Sequence, residues 1–199
     1  MSTADAGTCE YGLRYDDLAV AAPAFSGDEK AATLIDPSSY ECGCGPGFGL
    51  TGLHLYFGSF GSGTLSIRAG VHEAVDDGAG CFEPGALLYL SDPWVVSPPS
   101  SWGYTYVDVA LDAPCLSIET PVFVSVQYEL LESSGFYMEV VNRDEVAPLC
   151  NDWVDFGAGW VPASNHVPGR LSMWMDVSCC DGPVPVEAAT WGTVKALYR

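Results

Sequence analysis

The chain has 199 residues, and 26 acidic side chains against 7 basic ones give it a formal charge of −19. That sign excludes a basic nucleic-acid surface and opposes docking on anionic lipid. At 48% hydrophobic and 17% charged residues there is apolar mass for a folded core, yet no run reaches the roughly 18 apolar residues of a membrane span.

Alternation of apolar and polar residues, rather than helical periodicity, runs along the chain. Leu53, Leu55 and Phe57 share one face of a predicted strand, with His54 and Tyr56 on the other. Leu65, Ile67, Ala69 and Val71 alternate with Ser66, Arg68 and Gly70. Val107, Val109 and Leu111 alternate with Tyr106, Asp108 and Ala110. Val122, Val124, Val126, Tyr128 and Leu130 define the next strand, and Phe136, Met138 and Val140 another. Leu171, Met173, Met175 and Val177 alternate with Ser172, Trp174 and Asp176. Segments 58–63, 76–80, 97–101 and 132–135 carry turn chemistry, and the first and last of them read as hairpin connections.

Many strands together with 22 glycines and 14 prolines predict an all-β, antiparallel β-sandwich of the jelly-roll kind. It is expected to occupy residues 1–182. Residues 183–199 read as an extended linker and an apolar tail. Trp191, Val194, Leu197 and Tyr198 fall on one face of a short helix, which Gly192 and Thr193 weaken, or along an edge strand. The tail is open to three uses: docking on its own domain, donation to a neighbouring copy, or recognition by secretion machinery.

Eight cysteines, Cys9, Cys42, Cys44, Cys81, Cys115, Cys150, Cys179 and Cys180, are spread along the chain without CxxC spacing. Structural disulfides in an oxidising compartment fit this pattern better than a zinc ribbon or a redox site. Cys179 and Cys180 are adjacent and are expected to staple two different neighbours. The N-terminus lacks the basic and apolar regions of a signal peptide and reads as a mature chain with an added initiator Met. No Asn-x-Ser/Thr sequon occurs, which is compatible with a bacterial origin.

Three segments together carry a resemblance: Cys42-Gly43-Cys44-Gly45, then Pro168-Gly169-Arg170-Leu171-Ser172-Met173-Trp174 through Cys179-Cys180, and Thr190-Trp191-Gly192 through Arg199. In these the chain resembles a group of uncharacterised secreted bacterial β-sandwich proteins with a C-terminal tail. The resemblance implies compartment and fold class, and it brings no activity and no catalytic residues.

The three histidines, His54, His72 and His166, belong to no HExxH, and no Gly-x-Ser-x-Gly is present. A serine triad would have to assemble in space, without a local motif to announce it. Paired carboxylates of the glycosidase kind arise by chance among 26 acids, so they point to a solvated acidic surface. Calcium is a possible cofactor, because Asp76 and Asp77, and Asn151, Asp152 and Asp155, concentrate oxygen ligands on short loops.

Trp94, Trp102, Tyr104 and Tyr106 gather around a proline-rich loop, and Trp153 and Trp160 around a glycine-rich one. Exposed aromatic faces beside Asp or Asn suit the stacking of sugar rings. The expected function is therefore non-enzymatic: a secreted module that binds an extracellular polysaccharide or a cell surface. The rival is a structural subunit that associates with copies of itself through its tail or open sheet edges. A secreted hydrolase ranks third.

Overall fold

The computed structural model describes residues 8–12, 18–24, 29–39, 44–61, 64–97, 103–130, 135–142, 150–166 and 169–181. Among them, fifteen strands form two antiparallel sheets of eight and seven strands. β1 (Thr8–Gly12) and β2 (Leu18–Ala24) lie in the first sheet, β3 (Lys30–Ile35) in the second and β4 (Gly47–Gly61) in the first. β5 (Leu65–Asp76), β6 (Phe82–Leu90) and β7 (Trp94–Val96) belong to the second sheet, β8 (Gly103–Ala110) and β9 (Leu116–Ser117) to the first. β10 (Val122–Leu130) returns to the second sheet and β11 (Gly135–Asn142) to the first. β12 (Asp152–Asp155) and β13 (Trp160–Pro162) extend the second, while β14 (Arg170–Leu171) and β15 (Met173–Cys180) complete the first.

In the first sheet β2, β11, β4 and β8 are successive neighbours, and in the second β3, β10, β5 and β6 are. Apart from the β5–β6 hairpin, the chain passes from one quartet to the other at each step, which is the eight-stranded double Greek key of a jelly roll. The predicted inward positions are buried wherever their side chains are described; those of Phe57, Leu130, Phe136, Met138 and Val140 lie outside the described residues. Leu53, Leu55, Leu65, Ile67, Val71, Val109, Val124, Val126, Met175 and Val177 are all buried in one core that both sheets share. A smaller cluster of Ala32, Phe123 and Trp153 lies apart from it, with Trp160 and Phe82 packed against it.

Two expected hairpins are sheet-to-sheet crossings instead. Segment 58–63 has turn chemistry, but β4 continues to Gly61. Gly58 and Ser59 pair with Tyr104 and Gly103 of β8 on one side and with Met138 and Tyr137 of β11 on the other. Pairing on both edges overrides the local turn propensity of glycine and serine. Likewise β10 ends in the second sheet and β11 begins in the first, so 132–135 joins the sheets rather than a hairpin. Segment 76–80 does connect a hairpin, β5 to β6.

Three disulfides are described: Cys44–Cys179, Cys81–Cys150 and Cys115–Cys180. The adjacent Cys179 and Cys180 thus take different partners, as expected. Cys42 and the side chain of Cys9 lie outside the described residues, as do the proposed domain boundary and all of 182–199, with Trp191, Val194, Leu197 and Tyr198. Among the described residues no helix is long and apolar enough to cross a membrane.

Candidate functional site

The site is built on β4. Leu53 pairs with Met175 of β15 and with Val109 of β8, so β4 runs between those two strands. Because side chains alternate, the residues between the core positions of these three strands share the outer face. His54 pairs with Trp174 on one side and Asp108 on the other, and Tyr56 pairs with Tyr106. The register of β15 on β4 shifts between Asp176, opposite Gly52, and Val177, opposite Leu50. A side chain at Gly52 would bring its Cβ to 3.0 Å from Asp176 Oδ2 and 3.3 Å from His54 Nε2, so glycine leaves those two groups room to meet.

His54 organises this face. Its Nε2 lies 3.0 Å from Asp176 Oδ2. Its Nδ1 lies 2.7 Å from Tyr106 Oη and 3.5 Å from Asp108 Oδ1. A carboxylate only accepts, so His54 donates from Nε2 to Asp176, while Nδ1 and the Tyr106 hydroxyl share a hydrogen bond. The imidazole also stacks on Trp174 at 5.3 Å between centroids and 18° between planes. Tyr106 stacks near Trp174 at 5.9 Å and 23°, and Tyr56 tilts against Tyr106 at 5.3 Å. Trp174 and His54 are buried, whereas Tyr104 and Tyr106 are 43% and 47% exposed. An imidazole held on three sides fixes the Tyr106 ring at the surface rather than leaving it free to rotate.

The exposed residues of β8 form one row, Tyr104, Tyr106, Asp108 and Ala110. From Tyr104 to Ala110 the row is roughly 20 Å long at strand spacing. Beyond it opens a cleft of about 380 Å³ lined by Tyr89, Ser91, Asp92, Pro93, Trp94 and Asp112, together with Ala110 and Leu111. Ser91 anchors that cleft: its Oγ accepts from Ala69 N at 2.9 Å and donates to Asp92 O at 2.8 Å. Tyr89 Oη accepts from Asp112 N at 3.3 Å, and Trp94 is 41% exposed.

The aromatic residues named from the sequence therefore divide. Trp94, Tyr104 and Tyr106 lie along this surface. Trp102 is outside the described residues. Trp153 is buried in the smaller cluster and donates Nε1–H to Cys150 O at 3.2 Å, so its ring offers no face to a ligand. Trp160 is half-buried, edge-on to His72 at 5.6 Å and under the Lys30 ammonium at 5.8 Å. His54, Tyr56, Asp108, Trp174 and Asp176 were not singled out as site residues. Their signal was present in the alternation, which turns each of them away from the core. It could be read only once β15 and β8 were known to flank β4.

The acidic loops serve structural ends. Asp76 Oδ1 accepts from Gly78 N at 2.8 Å, and Asp77 Oδ1 accepts from Ala79 N and Cys81 N at 2.7 and 3.1 Å. Asp155 caps its own turn and pairs with Lys30. Asp152 is buried and accepts from Thr33 Oγ1 at 2.6 Å, Asn151 Nδ2 at 3.0 Å and Leu171 N at 3.0 Å. Among the described residues no three His, Cys, Asp or Glu side chains are grouped as metal ligands. The described hydrogen bonds occupy Oδ1 of Asp76 and of Asp77 and both carboxylate oxygens of Asp152 and Asp155.

No curated protein matches the sequence. Among solved structures, the chain aligns with the cysteine protease and lectin-like domains of Cwp84, a surface layer associated protein of Clostridium difficile, at a TM-score of 0.53 and 13% identity. That alignment covers 90% of this chain and 37% of the other. A structure of infectious bursal disease virus aligns at a TM-score of 0.31 and 10% identity, over 88% of this chain and 36% of that one. At such identities the likeness to Cwp84 speaks for the β-fold alone. A family model for a domain of unknown function, DUF7451, matches residues 33–177; these run from within β3 to within β15, and the chain belongs to that family.

Proposed function

We propose that this chain is a secreted module that binds an extracellular polysaccharide along β8 and the adjoining cleft. The observation that carries the reading is the row Tyr104, Tyr106 and Asp108, with Tyr106 locked by His54 and Trp94 exposed at the cleft. Aromatic faces offer flat apolar area for the C–H side of a sugar ring, and neighbouring carboxylates accept its hydroxyls. A charge of −19 disfavours acidic polysaccharides by repulsion, so neutral or amino-bearing glycans fit best. Three disulfides suit an oxidising exterior. Likeness to a chain that carries a lectin-like domain is compatible with this reading.

Binding to immobilised neutral polysaccharides by affinity electrophoresis tests it. Tyr106→Ala and Trp94→Ala should each weaken binding about tenfold, or ~1.4 kcal/mol, with an unchanged circular dichroism spectrum. Tyr106→Phe keeps the ring but loses the bond to His54, so its affinity should fall between those of wild type and Tyr106→Ala. Equal binding by wild type and both alanine variants would overturn the site.

A second reading, association between copies, is favoured by one feature. β6 and β7 expose Leu87, Leu88, Leu90 and Val95, and β6 ends its sheet's strand order. Apolar side chains on a terminal strand invite pairing. Light scattering of wild type and Leu88→Lys separates the two readings: a monomer in both cases leaves the binding module, and an assembly lost in the variant favours the subunit.

A further inference from the structure

On the second sheet, away from the shared core, Ser125 of β10 meets His72 of β5. Ser125 is opposite Gly70 and His72 opposite Phe123, so the two side chains are diagonal neighbours. His72 Nε2 lies 2.9 Å from Ser125 Oγ, and His72 Nδ1 lies 3.3 Å from the Gly85 carbonyl oxygen. A carbonyl only accepts, which places the proton on Nδ1 and turns the Nε2 lone pair to the serine hydroxyl. Burial lowers the His72 pKa below its ordinary 6.5; the Gly85 bond opposes this and the Lys30 charge adds to it. The imidazole is therefore neutral at pH 7. Gly70 keeps the space clear, since a Cβ there would lie 2.6 Å from Ser125 Oγ and 3.4 Å from His72 Nε2.

The pair opens on a cavity of about 280 Å³ lined by Lys30, His72, Leu87, Leu90, Ser125 and Gln127. Leu87 and Leu90 give it an apolar wall, and Lys30 and Gln127 give it N–H donors. Asp155 holds the Lys30 ammonium at 3.2 Å.

We propose that Ser125 and His72 are a nucleophile and base that accept the acyl group of a small carboxylic ester. The arrangement has a nucleophile bonded to its base, a base oriented by a third group, and a cavity beside both. Ser125 Oγ bonds to the ester carbonyl carbon while its proton passes to His72 Nε2. The carbon–oxygen bond to the alcohol breaks, and the alcohol departs with that proton. Water then adds to the acyl-serine and gives a proton to His72. The carboxylic acid leaves as His72 returns the proton to Ser125 Oγ. Lys30 and Gln127 are the cavity's donors for the negative oxygen formed at each addition. This activity is separate from polysaccharide binding and uses a different cavity, none of whose lining residues lines the β8 cleft.

The test is covalent labelling of the full chain with an alkyl fluorophosphonate, read by intact mass and peptide mapping. The expected result is one adduct per chain, on Ser125, absent from Ser125→Ala and formed at least tenfold more slowly by His72→Gln. The wild-type rate should be level near neutral pH and fall on acidification, at a pH lower than the 6.5 of an ordinary histidine, as His72 takes up a proton. No adduct, an adduct on another residue, or a rate indifferent to pH over that range would overturn the proposal. The wild-type peptide map and pH profile decide the matter even where a variant fails to fold.

Discussion

Asp155 shows how one carboxylate can set a turn. Its Oδ1 accepts from Gly157 N at 2.8 Å and Gly159 N at 2.9 Å, and its Oδ2 holds Lys30 at 3.2 Å. Both glycines have left-handed backbones, with φ of 90° and 103°, which side-chain-bearing residues resist. Burial pushes the Asp155 pKa up, but the N–H groups of Gly159 and Gly157 and the Lys30 ammonium outweigh it and leave the pKa below 3.8. The ionised group therefore stabilises the fold above pH 3.8, and that contribution is lost as pH falls through the lower folded value. Asp152 has the opposite slope. Burial, stronger than its hydrogen bonds and the Arg170 charge, raises its pKa, so its ionisation costs stability as pH rises from 3.8 through the folded value. Urea unfolding at a series of pH values checks both. Asp155→Ala should lose about 1–3 kcal/mol at pH 7 and lose less than wild type between pH 4 and pH 2. Asp152→Asn should remove the decline above pH 4.

At the scale of elements, β15 carries one end of two of the three described disulfides. Cys179 and Cys180 lie opposite Phe48 and Gly47 of β4, which in turn face Leu116 and Ser117 of β9. Successive side chains on a strand point to opposite sides, so the two cysteines reach Cys44 and Cys115 separately. The Cys44–Cys179 bond spans 135 residues, and closing so long a loop constrains the unfolded chain strongly. Replacing Cys44 and Cys179 by alanine should cost about 2–5 kcal/mol, measured as a lower urea midpoint with a steeper slope, because the freed unfolded chain exposes more surface. A strand that escaped the sequence is β6. Its segment holds Pro84 and Gly85 and an apolar run without alternation, and its pairing with β5 shifts register beside His72. A terminal strand tolerates such residues because only one side must keep its ladder.

The whole molecule carries −19 charges on one compact double-sheet core. Like charges repel in the folded state, and salt screens them over about 10 Å at 0.1 M. Raising sodium chloride from about 10 mM to 500 mM should lift the melting temperature by about 2–4 °C, the equivalent of ~1 kcal/mol at this chain length. An unchanged melting temperature would show that the charges are too dispersed to matter. For the proposed polysaccharide site, the same acidity favours uncharged or amino-bearing glycans over acidic ones, because β8 presents Asp108 beside its tyrosines and the cleft presents Asp92 and Asp112.

Period-two alternation by itself determined the strands that form the core, since burying one face of each is the main driving force. Leu53, Val71, Val124 and Met175 point inward wherever their strands lie. The divergence of Cys179 and Cys180 was legible too, because adjacent residues cannot face the same way. Which strands became neighbours was left to the tertiary structure: β4 beside β15 and β8, and β5 beside β10. Those pairings bring His54 to Asp176, residues 122 apart in number, and His72 to Ser125, 53 apart. Alternation assigns a residue to a face but carries no information about the partner strand. Sites assembled across strands therefore appear only when the long-range register closes.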